Sequence, residues 1–313
     1  MKLIKNIYDI KSPFKNAVVT IGNFDGVHKG HQAIIHQVIE KAESIEGTSI
    51  AITFEPHPIR VLKKNGWPPL ITSFEQKIEL ISHTGIDVLI CIQFDEKFAS
   101  ISAHQFVKEI LMDRIGMKAI VTGKDYAFGK DRAGDVEFLK KYAVDLGFEV
   151  IVANWIPMSY FGSKRISSTQ IREVVMSGKV DEAYNLLGRY YEVSGKVVTG
   201  RNRGGKLLGF PTANINLQDE LCPKTGVYAV IAEFNAKQYK GVANIGYSPT
   251  FDDQIFTVEV HLLDFNQDIY GNHLRVYFIS RIRDEIKFSG IEELAQQIKN
   301  DIQTARILLS HIK

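Results

Sequence analysis

The sequence has little cysteine: two residues in 313, Cys91 and Cys222, far apart and in no CxxC spacing. That excludes a disulfide framework and a cysteine zinc site, and it fits a reducing compartment. It also lacks an excess of either charge, since 38 Lys and Arg face 36 Asp and Glu for a net +2. A dedicated nucleic-acid binder carries a strong basic patch or tail, so no nucleic-acid partner is expected. Small phosphorylated ligands remain open, because they need only a few local cations. No apolar run approaches the roughly 18 residues of a membrane span. The opening stretch, Met1–Asn16, alternates charge and apolarity, unlike a signal peptide. The expectation is a soluble cytoplasmic protein with no membrane partner, whose oligomeric state is not legible from sequence.

What is present is ordinary globular composition, 45% hydrophobic and 24% charged. The length suits two domains with separate cores. From Ala17 to about Leu187, β-branched runs at 17–22, 49–54, 87–94, 118–123 and 148–153 alternate with helical patterns at 28–46, 74–84, 102–115, 134–146 and 168–187. Such alternation predicts an α/β domain with a parallel sheet covered on both faces. Its ligands bind at the carboxyl ends of the strands. After residue 188 the spacing changes. Strand patterns at 190–199, 226–235, 238–246, 255–265 and 273–283 follow one another without helices, and a helical pattern closes the chain at 290–311. This predicts an antiparallel barrel or sandwich. The expected domains are 1–187 and 188–313.

The first strand–helix turn reads Gly22-Asn-Phe-Asp-Gly-Val-His-Lys-Gly-His31. Three readings compete for it: a metal site, a tight structural turn, and a phosphate cradle. His28 and His31 share one helical face, but Asp25 is the one further local ligand, which weakens the metal reading. Glycines that let the backbone turn, followed by a helix N-terminus, favour phosphate. Imidazoles placed there can stabilise charge developing in a transition state.

GNFDGVHKGH resembles the N-terminal signature of the nucleotidylyltransferase superfamily, and its longer form resembles the bacterial FAD synthetase family. Thr53–Pro58, Phe94-Asp95 with Phe98-Ala99, Thr122–Gly129 with Arg132, and Ile166-Ser-Ser-Thr-Gln-Ile-Arg172 agree with that resemblance. It implies a Rossmann-like domain in which FMN attacks ATP. Gly22, Asn23, Phe24, Asp25, His28, His31, Ser168, Thr169 and Arg172 would bind ATP, with the two histidines catalytic. The bare sequence also allows Ser167–Thr169 to be simple helix caps. Asp125, Tyr126 and Phe128 stand in a loop where a flavin or adenine could stack, or which could be packed protein. Family members often carry Phe where this chain has Tyr126.

The second half holds Gly200–Asn214, a glycine-rich basic loop with Arg201, Arg203 and Lys206, ending in Gly209-Phe-Pro-Thr-Ala-Asn214. It lacks the Walker lysine pattern. Thr212 and Asn214 lie on one side of an extended chain and offer neutral oxygens of the kind Mg²⁺ accepts beside phosphates. In Phe256–Leu262, alternation places Thr257, Glu259 and His261 on one face. Glu259 is then a solvated carboxylate or, where that face lines a pocket, a general base for an alcohol. Segments 187–198, 209–214, 226–230, 244–251, 258–265, 269–271 and 283–288 resemble the riboflavin kinase domain family, a six-stranded antiparallel barrel with a helix. The resemblance implies that Gly200, Lys206, Gly209, Pro211, Thr212 and Asn214 bind ATP, that Thr212 and Asn214 hold Mg²⁺, and that Glu259 deprotonates the riboflavin 5′-hydroxyl. Arg283, Glu285 and Phe288 would belong to the flavin side.

Together the halves resemble a bifunctional family that makes FMN from riboflavin and ATP, then FAD from FMN and ATP. Two alternatives are a single-activity enzyme with one binding-only domain, and a non-enzymatic flavin- or RNA-binding regulator.

Overall fold

A computed structural model describes residues 1–63, 65–153, 166–198, 209–217, 220–249 and 254–312. The chain forms two compact units, one of Met1–Pro68 with Thr72–Ser167, the other of Pro69–Ile71 with Ser168–Lys313.

The first unit is built on a six-stranded sheet in the order β1-β4-β3-β2-β5-β6. Its strands are β1 (Lys2–Ile4), β2 (Ala17–Ile21), β3 (Ser49–Glu55), β4 (Val88–Gln93), β5 (Met117–Thr122) and β6 (Glu149–Val152). Every pairing is parallel. Side chains alternate across the strands, so Ala17, Val19 and Ile21 of β2 enter one core while Val18 enters the other. Helix α1 (Lys29–Ser44) closes the second core with Ile35, Val38 and Ala42. Helix α3 (Phe74–Ser82) adds Ile81 there, after the short α2 (Pro58–Leu62). The opposite face is covered by a π-helical segment, Phe106–Ile115, and by Leu139 of a helix over Val136–Leu146.

The strand order reverses at β2. The chain leaves β2 for β3 on one side, and β5 later adds on the other. Ligand sites in such sheets form outside the carboxyl ends of the strands at that switch point, where the loop after β2 stands.

In the second unit, two helices at Ser168–Met176 and Val180–Leu187 precede the strands. Strands β7 (Tyr191–Val198), β8 (Ala213–Asn216), β9 (Gly226–Phe234), β10 (Lys237–Pro249), β11 (Gln254–Leu262) and β12 (His273–Arg283) close a barrel in the order β10-β11-β8-β7-β12-β9. All its pairings are antiparallel, as the barrel expectation requires. Val258 and Val260 of β11 are buried, with Tyr228 and Phe278 among the largest buried side chains. The terminal helix Ile291–Leu308 buries Ala305 against Ala229, Ile231 and Ile279.

Two strands carry no local sequence pattern of their own. β1 is three residues long, too short for periodicity, and is recruited by pairing with Val88–Ile90 of β4. β8 covers part of the Pro-Thr-Ala-Asn stretch and is held by β11 and β7, partners distant in sequence.

Candidate active sites

The turn after β2 is contorted. Phe24, Gly26 and Val27 have φ of +48°, +83° and +37°. Glycine accepts that region without penalty, whereas a β-branched valine there is strained. Surrounding hydrogen bonds hold it. Gly22 N donates to Ile52 O at 3.0 Å and Val27 N to Phe24 O at 3.0 Å. Gly26 N donates to Thr72 Oγ1 at 3.1 Å, while Asp25 Oδ1 accepts from Thr72 N at 3.3 Å. Asp25 is only 4% exposed, so its carboxylate braces the turn from within.

The turn delivers the chain into α1 with His28 as N-cap. His28 Nδ1 accepts from His31 N at 3.3 Å, and the two rings stack with centroids 3.6 Å apart. Phe24 meets His31 edge-on at 5.3 Å. An accepting Nδ1 assigns the proton of neutral His28 to Nε2. A Cβ at position 30 would stand 3.1 Å from the His28 ring, a tight contact that glycine avoids. Two imidazoles and a helix N-terminus thus share one end of α1, where the dipole favours anions.

Beside them lies a cavity of about 390 Å³. Gly22, Asn23, Phe24 and His31 line one part of it, and Asp125, Tyr126, Phe128 and Arg132 another. Tyr126 and Phe128 stack at 5.2 Å. Phe54, Phe94 and Phe98 also line it, each within about 6 Å of the other two by centroid. Along the chain those three phenylalanines stand only as parts of resembling segments, with no sign that they meet. What unites them is the sheet edge: Phe54 lies near the end of β3, and Phe94 and Phe98 both follow the end of neighbouring β4. Among the described residues the buried Tyr126 hydroxyl has no hydrogen-bond partner, and burial pushes its pKa far up.

Ser168 and Thr169 open the first helix of the second unit, Ser168 partly buried and Thr169 exposed. Arg172 Nε donates to Pro69 O at 2.8 Å. Among the described residues no group of three or more His, Cys, Asp or Glu side chains is arranged to hold a metal ion.

On the barrel, register places Glu259 of β11 between Asn214 of β8 and Asn244 of β10. These three occupy one row, pointing away from buried Val258 and Val260. Asn214 is 7% exposed, and Thr212, two residues before it, is partly exposed. Burial raises the Glu259 pKa, so the carboxylate is poised to accept a proton more readily than a solvated one. His261, two residues on, has Nδ1 2.8 Å from Pro211 O and its ring 5.7 Å from Phe210. That contact fastens the Gly209–Asn214 segment alongside β11. Gly200, Arg201, Arg203 and Lys206 lie outside the described residues.

Glu285 approaches the same surface, since a Cβ built on Gly246 of β10 would meet its Oε1 at 2.9 Å. Arg283 forks onto Asp301 of the terminal helix, with Nε–Oδ1 at 2.9 Å and Nη2–Oδ2 at 2.7 Å, and stands 5.9 Å from the Phe288 ring. Its guanidinium therefore anchors the end of β12.

Two family models match the chain in succession, FAD synthetase over residues 10–170 and riboflavin kinase over residues 187–309. A protein of Buchnera aphidicola subsp. Schizaphis graminum (strain Sg), named bifunctional riboflavin kinase/FMN adenylyltransferase, is 37% identical over 309 residues, which span 98% of each chain. The protein of that name from Escherichia coli (strain K12) is 36% identical over 308 residues, 98% of this chain and 97% of its own. A crystal structure described as a macrolide-efflux protein from Streptococcus pneumoniae superposes with a TM-score of 0.87 at 35% identity, covering 97% of this chain and 98% of that one. Among the described residues no helix is long and apolar enough to cross a membrane.

Proposed function

The chain belongs to the bifunctional riboflavin kinase/FMN adenylyltransferase family, and from that premise we propose which residues perform each of its two reactions. Residues 1–187 are assigned to adenylyl transfer and 188–313 to the kinase. The observation that carries the assignment is the stacked His28–His31 pair at the helix N-terminus beside an aromatic cavity.

In the kinase step, Glu259 takes the proton of the riboflavin 5′-hydroxyl. The oxygen attacks the γ-phosphorus of ATP, its O–P bond forms as the bridge to the β-phosphate breaks, and ADP leaves. Hard oxygen donors on Thr212 and Asn214 beside the Glu259 carboxylate fit Mg²⁺. When bound, the ion would neutralise charge on the ATP phosphates. Gly200, Lys206, Gly209 and Pro211 are assigned to ATP, Arg283 and Phe288 to the flavin side.

In the second step, a phosphate oxygen of FMN attacks the α-phosphorus of another ATP, and pyrophosphate leaves with FAD as product. His28 and His31 stabilise charge on the phosphates, with Gly22, Asn23, Phe24 and Asp25 shaping the turn that presents them. Ser168, Thr169 and Arg172 keep the phosphate-holding role their signature implies. The isoalloxazine ring sits in the cavity with Tyr126, Phe128 and Asp125, whose volume is in the range of small-molecule sites. Neither step needs a covalent enzyme intermediate. A reducing cytoplasm, with both cysteines unpaired, is the proposed setting.

Chromatography of the flavins tests the assignment. Incubated with riboflavin, ATP and Mg²⁺, the protein is expected to make FMN before FAD; with FMN and ATP it is expected to make FAD directly. No FAD in either mixture would overturn the adenylyltransferase assignment, and no FMN from riboflavin the kinase assignment.

A further inference from the structure

Helix α3 buries a lysine. Lys77 lies on the stripe Phe74, Lys77, Ile78 and Ile81, which helical spacing turns toward the core. Its side chain is 6% exposed. The ammonium donates to two backbone carbonyls, Asn23 O at 3.5 Å and Phe54 O at 3.4 Å. Glu55 Oε2 lies 3.9 Å away, beyond a tight ion pair, and the Phe74 ring 5.6 Å away.

An ammonium in such a place gives up hydration that a distant carboxylate only partly offsets. Burial lowers its pKa, opposed by Glu55 of β3, Cys91 of β4 and Asp25 of the turn. A methionine would fill nearly the same space without that cost, so the charge answers to something other than packing. What it reaches supplies the reason. Asn23 opens the strained turn after β2, Phe54 stands near the end of β3, and both line the cavity. Thr53 Oγ1 donates to the same Asn23 carbonyl at 3.2 Å. The residues that follow adopt positive φ at 24, 26 and 27, a path that needs its first peptide held. Thr72, just before Ser73 caps α3, braces the other side of the turn through Asp25 and Gly26. One short segment thus grips the turn at both ends.

We propose that Lys77 is a positioning residue for adenylyl transfer, clamping the Asn23 and Phe54 carbonyls so that the turn presents His28 and its neighbours in a single geometry. The inference rests on the adenylyltransferase assignment of this unit. Lys77 acts on the turn, and the turn acts on the phosphates.

The test uses the full chain and follows FAD formation from FMN and ATP, with thermal unfolding as the folding control for the first unit and FMN formation from riboflavin as the control for the second. Lys77→Met is expected to lower kcat for FAD about 10- to 100-fold, with KM for FMN and ATP changed less than about threefold and kinase activity retained. Thr53→Val removes the second donor to Asn23 O at nearly constant volume and is expected to give a smaller loss of the same kind. Because both act through one carbonyl, the double variant is expected to depart from the product of the single losses by about threefold or more. A parental kcat in Lys77→Met, a loss confined to KM, or multiplicative losses overturns the clamp. If thermal unfolding shows that Lys77→Met has lost the folded first unit, Thr53→Val decides, an unchanged kcat overturning the proposal. Absence of FAD with the parent protein overturns the assignment of the unit instead, so the two failures are distinct.

Discussion

His28 Nδ1 accepts the backbone N–H of His31, so one imidazole of the pair caps the helix that carries the other. Capping and chemistry are separable by substitution. His28→Asn keeps a good N-cap and is expected to hold stability within about 0.5 kcal/mol, while FAD formation falls about 10²-fold or more. His28→Ala is expected to lose the activity and, in addition, about 1 kcal/mol of stability. Thermal unfolding alongside flavin chromatography measures both. Parental FAD formation in His28→Asn would remove the imidazole from the chemistry.

Glu259→Gln is expected to cut FMN formation about 10²-fold or more and to leave FAD formation from FMN intact. The base must be ionised to work, so kinase activity falls on acidification. Because burial raises the Glu259 pKa, that fall is expected at a higher pH than for a solvated glutamate. The folded chain also binds this proton more tightly than the unfolded one. Its contribution to stability is therefore present in acid and lost as pH rises through the folded pKa. Accordingly, Glu259→Gln is expected to be no less stable than the parent at neutral pH. A pH–rate profile and a denaturant titration check the two signs.

Asp301 is 4% exposed and receives the Arg283 guanidinium in a fork. Asp301→Ala leaves that cation without its partner and is expected to destabilise the second unit by about 3 kcal/mol. Asp301→Leu combined with Arg283→Met is expected to recover most of the loss, since no charge then stays buried. Guanidinium denaturation of the three proteins would show whether the fork, rather than the helix around it, is responsible.

Tyr126 buries a hydroxyl that no hydrogen bond satisfies among the described residues. Tyr126→Phe removes only that oxygen and is expected to raise the stability of the first unit by about 1 kcal/mol. A lower unfolding temperature would mean that the hydroxyl has a partner in solution.

Features carried by local spacing are legible in the amino-acid sequence. β2 is legible as a β-branched run, buried on both faces as parallel strands are, and α1 as a 3.6-residue stripe, because both signals lie in neighbouring residues. The turn at Gly22–His31 is legible for the same reason, as glycines, an acid and two histidines within one short stretch. So is Glu259, whose face follows from alternation along β11.

Other features depend on pairing between distant segments, which no local pattern encodes. β1 and β8 exist because β4 and β11 offer them edges. The grouping of Phe54, Phe94 and Phe98 with Tyr126 and Phe128 is set by the sheet, which brings the ends of strands from three places in the chain to one cavity. Lys77 carries one readable signal, a charge on an otherwise apolar helical stripe, but its partners do not. The carbonyls it holds belong to residues 54 and 23 positions earlier in the chain. By itself the sequence determined the two kinds of element and the residue types of the two proposed sites, because those depend on spacing along the chain. Tertiary structure alone decided which backbone groups a buried cation grips and which aromatics meet, because those depend on how far-apart segments pack.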